Sequence, residues 1–399
     1  MSGAPTRRVV LAVAALAVAG CHGRPGPHPS TTGTTGSSTP TSATPTSPSA
    51  SSPTASTSSS IPSPTVSPTL SQARIRRRAG RCLLLGLGPN EDIDRAVELV
   101  GSLGLAGVFL VGRWTDPTLI TRTAARVRRA ATSAGHPGGV VAADQEGGLV
   151  QNLVADGFDA LPSAERVARL GVAEATRLAR LSATQMRAHG VNLFLGPVAD
   201  VVSPALGASN APIGALHRGY GTSAGTVSAL VDAVIGGYRQ GRVGTCVKHF
   251  PGLGAVRTNT DVGPATDRTT SSTSDTLIPF RRAFTAGASS VMVSSATYPR
   301  LDPDHPAVFS RSIVTGLLRD RLGFTGAVLS DDLGAAGAVA SVTPSRRAAD
   351  FVTAGGDLTL CADADLVATM VEGLRSRVGT DRLAEAIGRV DRLASTLGS

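Results

Sequence analysis

Eight short apolar runs, spaced by longer amphipathic stretches, set the narrowest limit on what this chain can fold into. They are Cys82–Leu87, Gly107–Val111, Val140–Ala143, Val191–Leu195, Thr245–Lys248, Ser290–Val293, Ala327–Leu329 and Leu358–Cys361. Continuous apolar runs of this length suit parallel strands covered on both faces by helices. Helical patterns lie between them at Asp92–Leu103, Leu119–Ala134, Ala164–His189, Ser223–Arg239, Leu277–Ala286 and Arg311–Arg321. Eight strand–helix units close a (β/α)8 TIM barrel, an α/β fold, and roughly 320 residues suffice to build it. An open, doubly wound sheet is the alternative. Its dinucleotide signature is weak here, because Gly86-Leu87-Gly88 runs into Pro89 and lacks the third glycine.

The stretch before the barrel is different in kind. Arg7 and Arg8, the apolar residues 9–18 and the small residues before Cys21 read as a secretory signal over residues 1–20. Val18-Ala19-Gly20-Cys21 resembles the lipobox of bacterial lipoproteins, which implies a lipid on Cys21 as the mature amino terminus. The alternative is an ordinary cleaved signal that happens to contain a cysteine. From Pro29 to Gln72, 35 of 44 residues are Ser, Thr or Pro and none is charged, so residues 21–78 read as a disordered linker and 79–399 as the folded domain. Such a linker spans roughly 40 Å as a coil and up to about 140 Å when extended, enough to lift a domain from a membrane into a cell wall. The expected location is therefore the outer face of the cell membrane.

Charge excludes one class of partner. The net charge is +9, but seven arginines and no acid fall in residues 1–78, leaving 31 basic against 29 acidic residues in the domain. With 3% aromatic residues as well, neither an electrostatic nor a stacking surface for nucleic acid is expected. Cys82, Cys246 and Cys361 sit in apolar runs without Cys-x-x-Cys spacing and read as buried small hydrophobes. A Cys82–Cys361 disulfide stays open if their strands are neighbours.

In a barrel of this kind the carboxyl ends of the strands carry the chemistry. The third run leads into Asp144-Gln145-Glu146-Gly147-Gly148, the fifth into Lys248-His249-Phe250-Pro251-Gly252 and the seventh into Ser330-Asp331-Asp332, while the loop after the fourth holds His217-Arg218-Gly219-Tyr220. Lys248 is the only lysine among 38 basic residues. A chain that uses arginine everywhere else has a specific demand for a compact ammonium there, one that bridges hydroxyls and a carboxylate where a planar guanidinium would not fit. A structural salt bridge is the bland alternative. Of the two adjacent acids, one is expected to cap the following turn and the other, Asp331, to face the barrel axis.

Taken together these motifs resemble family 3 of the glycoside hydrolases, in its single-domain β-N-acetylhexosaminidase branch, over roughly residues 80–395. The carriers are the Asp144–Gly148 segment, Asn192-Leu193 with Pro197-Val198-Ala199-Asp200, Arg218, Lys248-His249-Phe250-Pro251-Gly252-Leu253-Gly254 and Ser330-Asp331-Asp332-Leu333. The resemblance implies that Asp331 is the nucleophile of a retaining mechanism and that Asp144, Arg218, Lys248 and His249 hold the terminal sugar. It also implies that Lys248 keeps Asp331 charged. Two departures stand out. The family's proton-donor histidine belongs to an Asp-Ser-His triplet, where this chain has Asn259, Thr260 and Asp261, and the arginines after Glu-Gly-Gly are replaced by Leu149 and Asn152. Asp261 is therefore the candidate proton donor and Asp267 a second, with a solvated loop aspartate of no role as the alternative.

The expected function is an exo-acting β-N-acetylglucosaminidase that trims terminal GlcNAc from cell-wall fragments. A β-glucosidase, a glycosidase using phosphate in place of water, and a sugar-binding lipoprotein without catalysis are the alternatives. The expected partners are the carbohydrate and, through Cys21, the membrane; a monomer is expected. No cofactor or metal is implied, since no phosphate-cradling loop is present and the seven histidines lack ligand spacing.

Overall fold

The computed structural model describes residues 68–398; Cys21, the signal and most of the linker lie outside the described residues. The barrel strands are β1 (Leu83–Leu87), β2 (Gly107–Leu110), β3 (Val140–Ala143), β4 (Leu193–Phe194), β5 (Gly244–Phe250), β6 (Ser290–Val293), β7 (Ala327–Asp332) and β8 (Leu358–Cys361). All pair in parallel, each with its sequence neighbours, and β1 pairs with β8 to close the ring. The eight expected runs are the eight strands, and the closed barrel, not the open sheet, is the fold. Strand β4 is shorter than its run, while β5 and β7 extend past theirs and take His249, Asp331 and Asp332 into the sheet.

The helices are α1 (Pro68–Gly80), α2 (Ile93–Leu103), α3 (Pro117–Ser133), α4 (Ala164–Leu170), α5 (Val172–Ala188), α6 (Ala224–Gln240), α7 (Ile278–Ala286), α8 (Ser312–Arg321, wound as a π-helix), α9 (Pro344–Ala354), α10 (Ala364–Arg377) and α11 (Thr380–Gly398). Two differ from the sequence reading. The single helix expected over Ala164–His189 is broken at Gly171, whose φ of 91° lies in the left-handed region that ends a helix cheaply only at glycine. Helix α1 starts inside the stretch assigned to the linker. Its exposed arginines give it no broad apolar face, so periodicity is silent there, but Ala79 is fully buried where the helix enters the barrel.

The period of two in a strand sorts each run into an inward and an outward set. Leu84, Phe109, Ala142, Leu193, Cys246, Met292, Leu329 and Leu360 form the inward cluster, closed at the amino-terminal end of the barrel by Val390, Leu393, Ala394 and Leu397 of α11. Gly244 allows that approach, since a Cβ there would lie 2.3 Å from the Leu397 side chain. The bottom is thus plugged by a helix. Continuing the inward columns by two residues reaches Asp144 after Ala142, Lys248 after Cys246 and Asp331 after Leu329, so the same alternation that fills the core delivers three charged side chains to the open, carboxyl end.

Cys82, Cys246 and Cys361 are free and buried. Strands β1 and β8 are indeed neighbours, but the register sets Cys361 opposite Leu85, which leaves Cys82 three residues below it. The Cys82–Cys361 disulfide is therefore not formed.

Candidate active site

Strand β3 hands directly into a small hairpin, Gln145–Gly147 with Val150–Gln151. The Gln145 side chain pins it by accepting from Leu153 N and donating to Leu153 O, both at 3.0 Å. Gly147 turns the chain at φ 90°, against Pro162 O, at a point where a Cβ would come within 2.3 Å of that oxygen. This rigid turn sends Asp144 to the mouth and Glu146 into the wall.

Glu146 is the hub of the site, although sequence reasoning did not single it out. Its carboxylate accepts from Arg218 Nε and Nη2, each at 2.8 Å, and from the Lys248 ammonium at 2.7 Å. Lys248 also pairs with Asp144. Burial alone would raise the Glu146 carboxyl, but Arg218 and Lys248 outweigh it and hold it down to about 2. Burial would likewise lower the Lys248 ammonium, and Asp144 and Glu146 reverse the sign and hold it above its usual value. Arg218, half-buried, has its third nitrogen on Pro212 O at 2.9 Å and is kept firmly protonated by Glu146. Two carboxylates and two cations thus close a compact network drawn from strand β5 and the segments that follow β3 and β4. Among the described residues, the ion pairs of Lys248 are with Asp144 and Glu146.

His249 follows Lys248 across a cis peptide bond and is fixed from behind by Asp200. That carboxylate, fully buried, accepts from His249 Nδ1 at 2.8 Å, His249 N at 3.3 Å and Leu253 N at 2.7 Å. Its bond to Nδ1 leaves Nε2 as the ring nitrogen that Asp200 does not engage. Asp200 was visible only as part of a motif.

The two acids at the end of β7 divide their work as expected. Asp332 accepts from Gly334 N at 2.8 Å, Ala335 N at 3.0 Å and Ala362 N at 2.9 Å, which caps the next turn and ties it to the end of β8. Burial still pushes its carboxyl up to about 6. Asp331, half-buried, accepts only from the N–H of Asp332 at 3.0 Å among the described residues, so its carboxylate is left for a ligand.

The loop after β5 brings Asp261 across the mouth. The residue as a whole is exposed, yet burial of its carboxyl, then the charge of Asp331, raise it from the ordinary carboxylate value, with Arg218 and His249 near enough to oppose them. Asp267, the second candidate, does not fit an acid role. It is buried, and its carboxylate accepts from the N–H and hydroxyl groups of both Thr269 and Thr270 at 2.5–3.1 Å, which makes it the anchor of a turn. Arg218, Lys248, Asp144 and His249 therefore meet at one rim with Asp331 and Asp261. Among the described residues no cluster of His, Cys, Asp and Glu has the arrangement to hold a metal ion.

Chemically, the site offers one unshielded carboxylate and, across the mouth, a second whose pKa is raised, beside a set of fixed donors for hydroxyl groups. That division is what acid-assisted substitution at an acetal carbon requires.

Known proteins resemble this chain along most of its length. A model of the glycosyl hydrolase family 3 N-terminal domain matches residues 76–394. Curated relatives include a β-hexosaminidase of Xylella fastidiosa, 34% identical over 79% of this chain and 90% of its own length, and one of Stenotrophomonas maltophilia, 31% identical over 77% and 91%. The crystal structure of a β-N-acetylhexosaminidase from Beutenbergia cavernae superposes with a TM-score of 0.75 at 35% identity, covering 82% of this chain and 98% of that one. The chain belongs to family 3 of the glycosyl hydrolases.

Proposed function

We propose that this protein is a retaining, exo-acting β-N-acetylglucosaminidase, with Asp331 as nucleophile and Asp261 as general acid and base. The observation that carries the reading is the contrast between the two carboxyl groups at the mouth: Asp331 lacks competing protein donors apart from its neighbour's N–H, while Asp261, on a turn hydrogen-bonded to the loop after Asp331, has its carboxyl raised by burial and by that same Asp331. The activity of the relatives supports the sugar, since both named β-hexosaminidases span nearly their whole length on this chain.

In the first step an Asp331 oxygen bonds to the anomeric carbon as the glycosidic bond breaks, and Asp261 gives its proton to the departing oxygen. Asp331 is now an uncharged ester, so the repulsion that raised the Asp261 carboxyl is gone and Asp261 remains a carboxylate. It then takes a proton from a water that attacks the anomeric carbon, and Asp331 leaves as a carboxylate. Asp144, Arg218, Lys248 and His249 hold the hydroxyls of the sugar. Glu146 and Asp200 fix the cationic groups and the imidazole from behind, a preorganisation that spares reorientation in the transition state.

The substrate is a terminal, β-linked GlcNAc on cell-wall fragments, and the protein works at the outer face of the membrane on a lipid attached to Cys21. This part rests on the signal, Cys21 and the Ser/Thr/Pro stretch. Fatty-acid labelling lost in Cys21→Ser supports it, and equal labelling of both proteins, or labelling of neither, removes it.

An activated aryl β-GlcNAc glycoside tests the activity. Wild type turns it over and Asp331→Ala loses on the order of 10⁴-fold or more. Equal rates for both proteins defeat the reading, and GlcNAc oligomer binding without product would leave a binding protein in its place. Faster release with phosphate than without it would make phosphate the acceptor.

A further inference from the structure

The loop that carries Asp261 is not free. Asn259 organises it into a turn, its side-chain oxygen accepting from Asp261 N at 3.1 Å and its carbonyl from Val262 N at 3.0 Å and Gly263 N at 3.2 Å. That turn is seated on the loop that follows Asp331: Gly337 N donates to Asp261 O and Ala338 N to Thr260 O, both at 3.0 Å. Gly337 and Ala338 open a single helical turn, Gly337–Val339, so these N–H groups are ones that no carbonyl within the turn would satisfy. The seat itself is rigid. Asp332 caps its start, and the Arg347 guanidinium holds it by donating to Leu333 O, Gly334 O and Val342 O at 2.7–2.9 Å.

Close approach depends on a missing atom. A Cβ at Gly337 would lie 2.4 Å from Val262 O, 2.6 Å from Val262 C and 2.9 Å from Gly263 N, all backbone. The backbone at Gly337 does not need glycine for its own conformation, since its φ is not positive. Space for the Asp261 turn is what glycine supplies.

We propose that Gly337 is a positioning residue: by admitting the Asn259–Gly263 turn against the loop after Asp331, it registers Asp261 over Asp331 for proton transfer. The inference rests on the reading of Asp261 as the general acid. The strand that ends in the nucleophile thereby also sets the place of the acid.

Gly337→Ala is the test. Ordinary contact begins near 3.4 Å, so one methyl group forces the turn back by about 1 Å. A displacement of that size at a proton donor costs on the order of 10²-fold. The measurement is kcat/KM for the full-length protein, as wild type, Gly337→Ala and Asp261→Asn, across aryl β-GlcNAc glycosides of graded leaving-group acidity, with inhibition by free GlcNAc as a readout of sugar binding. Gly337→Ala should lose about 10²-fold on the poorest leaving group and little on the best, as Asp261→Asn does, with GlcNAc inhibition unchanged. A merely structural role would lower all rates alike. The proposal is overturned if Gly337→Ala keeps the wild-type dependence on leaving group while Asp261→Asn steepens it. If Asp261→Asn does not steepen it, the acid assignment itself falls. Should Gly337→Ala not fold, Ala338→Pro carries the same expectation, because it deletes the N–H to Thr260 O in a first helical turn, where proline is tolerated.

Discussion

Glu146→Gln removes one charge and almost no volume, so it isolates what the buried carboxylate does. In the native protein Glu146 neutralises Arg218 and Lys248. With glutamine there, the two cations keep only Asp144 as a nearby counter-charge in the network. Taking one partner out of a buried ionic network costs about 3–5 kcal/mol. The depression of the Glu146 carboxyl from 4.5 to about 2 gives a second route to the size, about 3 kcal/mol of stability that depends on its ionisation. The two agree. For a domain of this length such a loss lowers the melting temperature by roughly 4–8 °C. The sign with pH follows from the lowered value. The contribution is fully present above the unfolded pKa of about 4.5, falls by roughly half at pH 3, and vanishes below about 2. Urea unfolding of wild type and Glu146→Gln at pH 7 and pH 3 should therefore give a difference that shrinks on acidification. A difference under 1 kcal/mol at pH 7, or one that does not change with pH, would refute the hub.

The remaining expectations concern titration and reactivity. Because Asp261 is raised from the ordinary carboxylate value by burial and Asp331, the rate on poor leaving groups should fall as pH rises through its raised pKa, and Asp261→Asn should lose that limb; an unchanged profile in the variant would exclude it as the acid. Burial lowers the pKa of His136, whose Nε2 bonds Gly104 O at 3.0 Å, with Arg81 and Asp391 the charged groups facing it. A lowered histidine favours the folded state above its unfolded pKa of about 6.5 and this support is lost on acidification, so His136→Gln should show a shallower loss of stability from pH 6.5 to 5 than wild type. Equal slopes would count against it. Burial pushes the Cys246 thiol up to about 12 and raises Cys82 and Cys361 as well. All three should resist a thiol reagent until the protein unfolds, and rapid reaction of the native protein at any of them would contradict their burial.

How much of this could be read from the chain depends on how local each signal is. The strands were legible because each carries its own apolar run, and the period of two then fixes which residue tops each inward column; Asp144, Lys248 and Asp331 follow from that count alone. The cap at Asp332 was legible for the same reason, since a turn after a strand needs an acceptor for its N–H groups. Glu146 and Asp200 were not, because their roles exist only through partners 49 or more residues away, and nothing in the spacing of a motif reports which buried acid meets which base. Asp261 and Asp267 look alike in sequence and are separated only by what surrounds them, one near a second carboxylate and the other saturated by four threonine donors. The disulfide question turned on register, which adjacency of strands does not determine.

The central claim is that Asp331 becomes covalently bonded to the sugar. It is tested most directly by intact-protein mass spectrometry of Asp261→Asn during turnover of an activated aryl β-GlcNAc glycoside, in which the base needed to release the sugar is missing while the leaving group needs no acid. A population heavier by one N-acetylglucosaminyl residue is expected, with the added mass on the peptide that contains Asp331. Unmodified protein throughout turnover, or the sugar on any other residue, would contradict it.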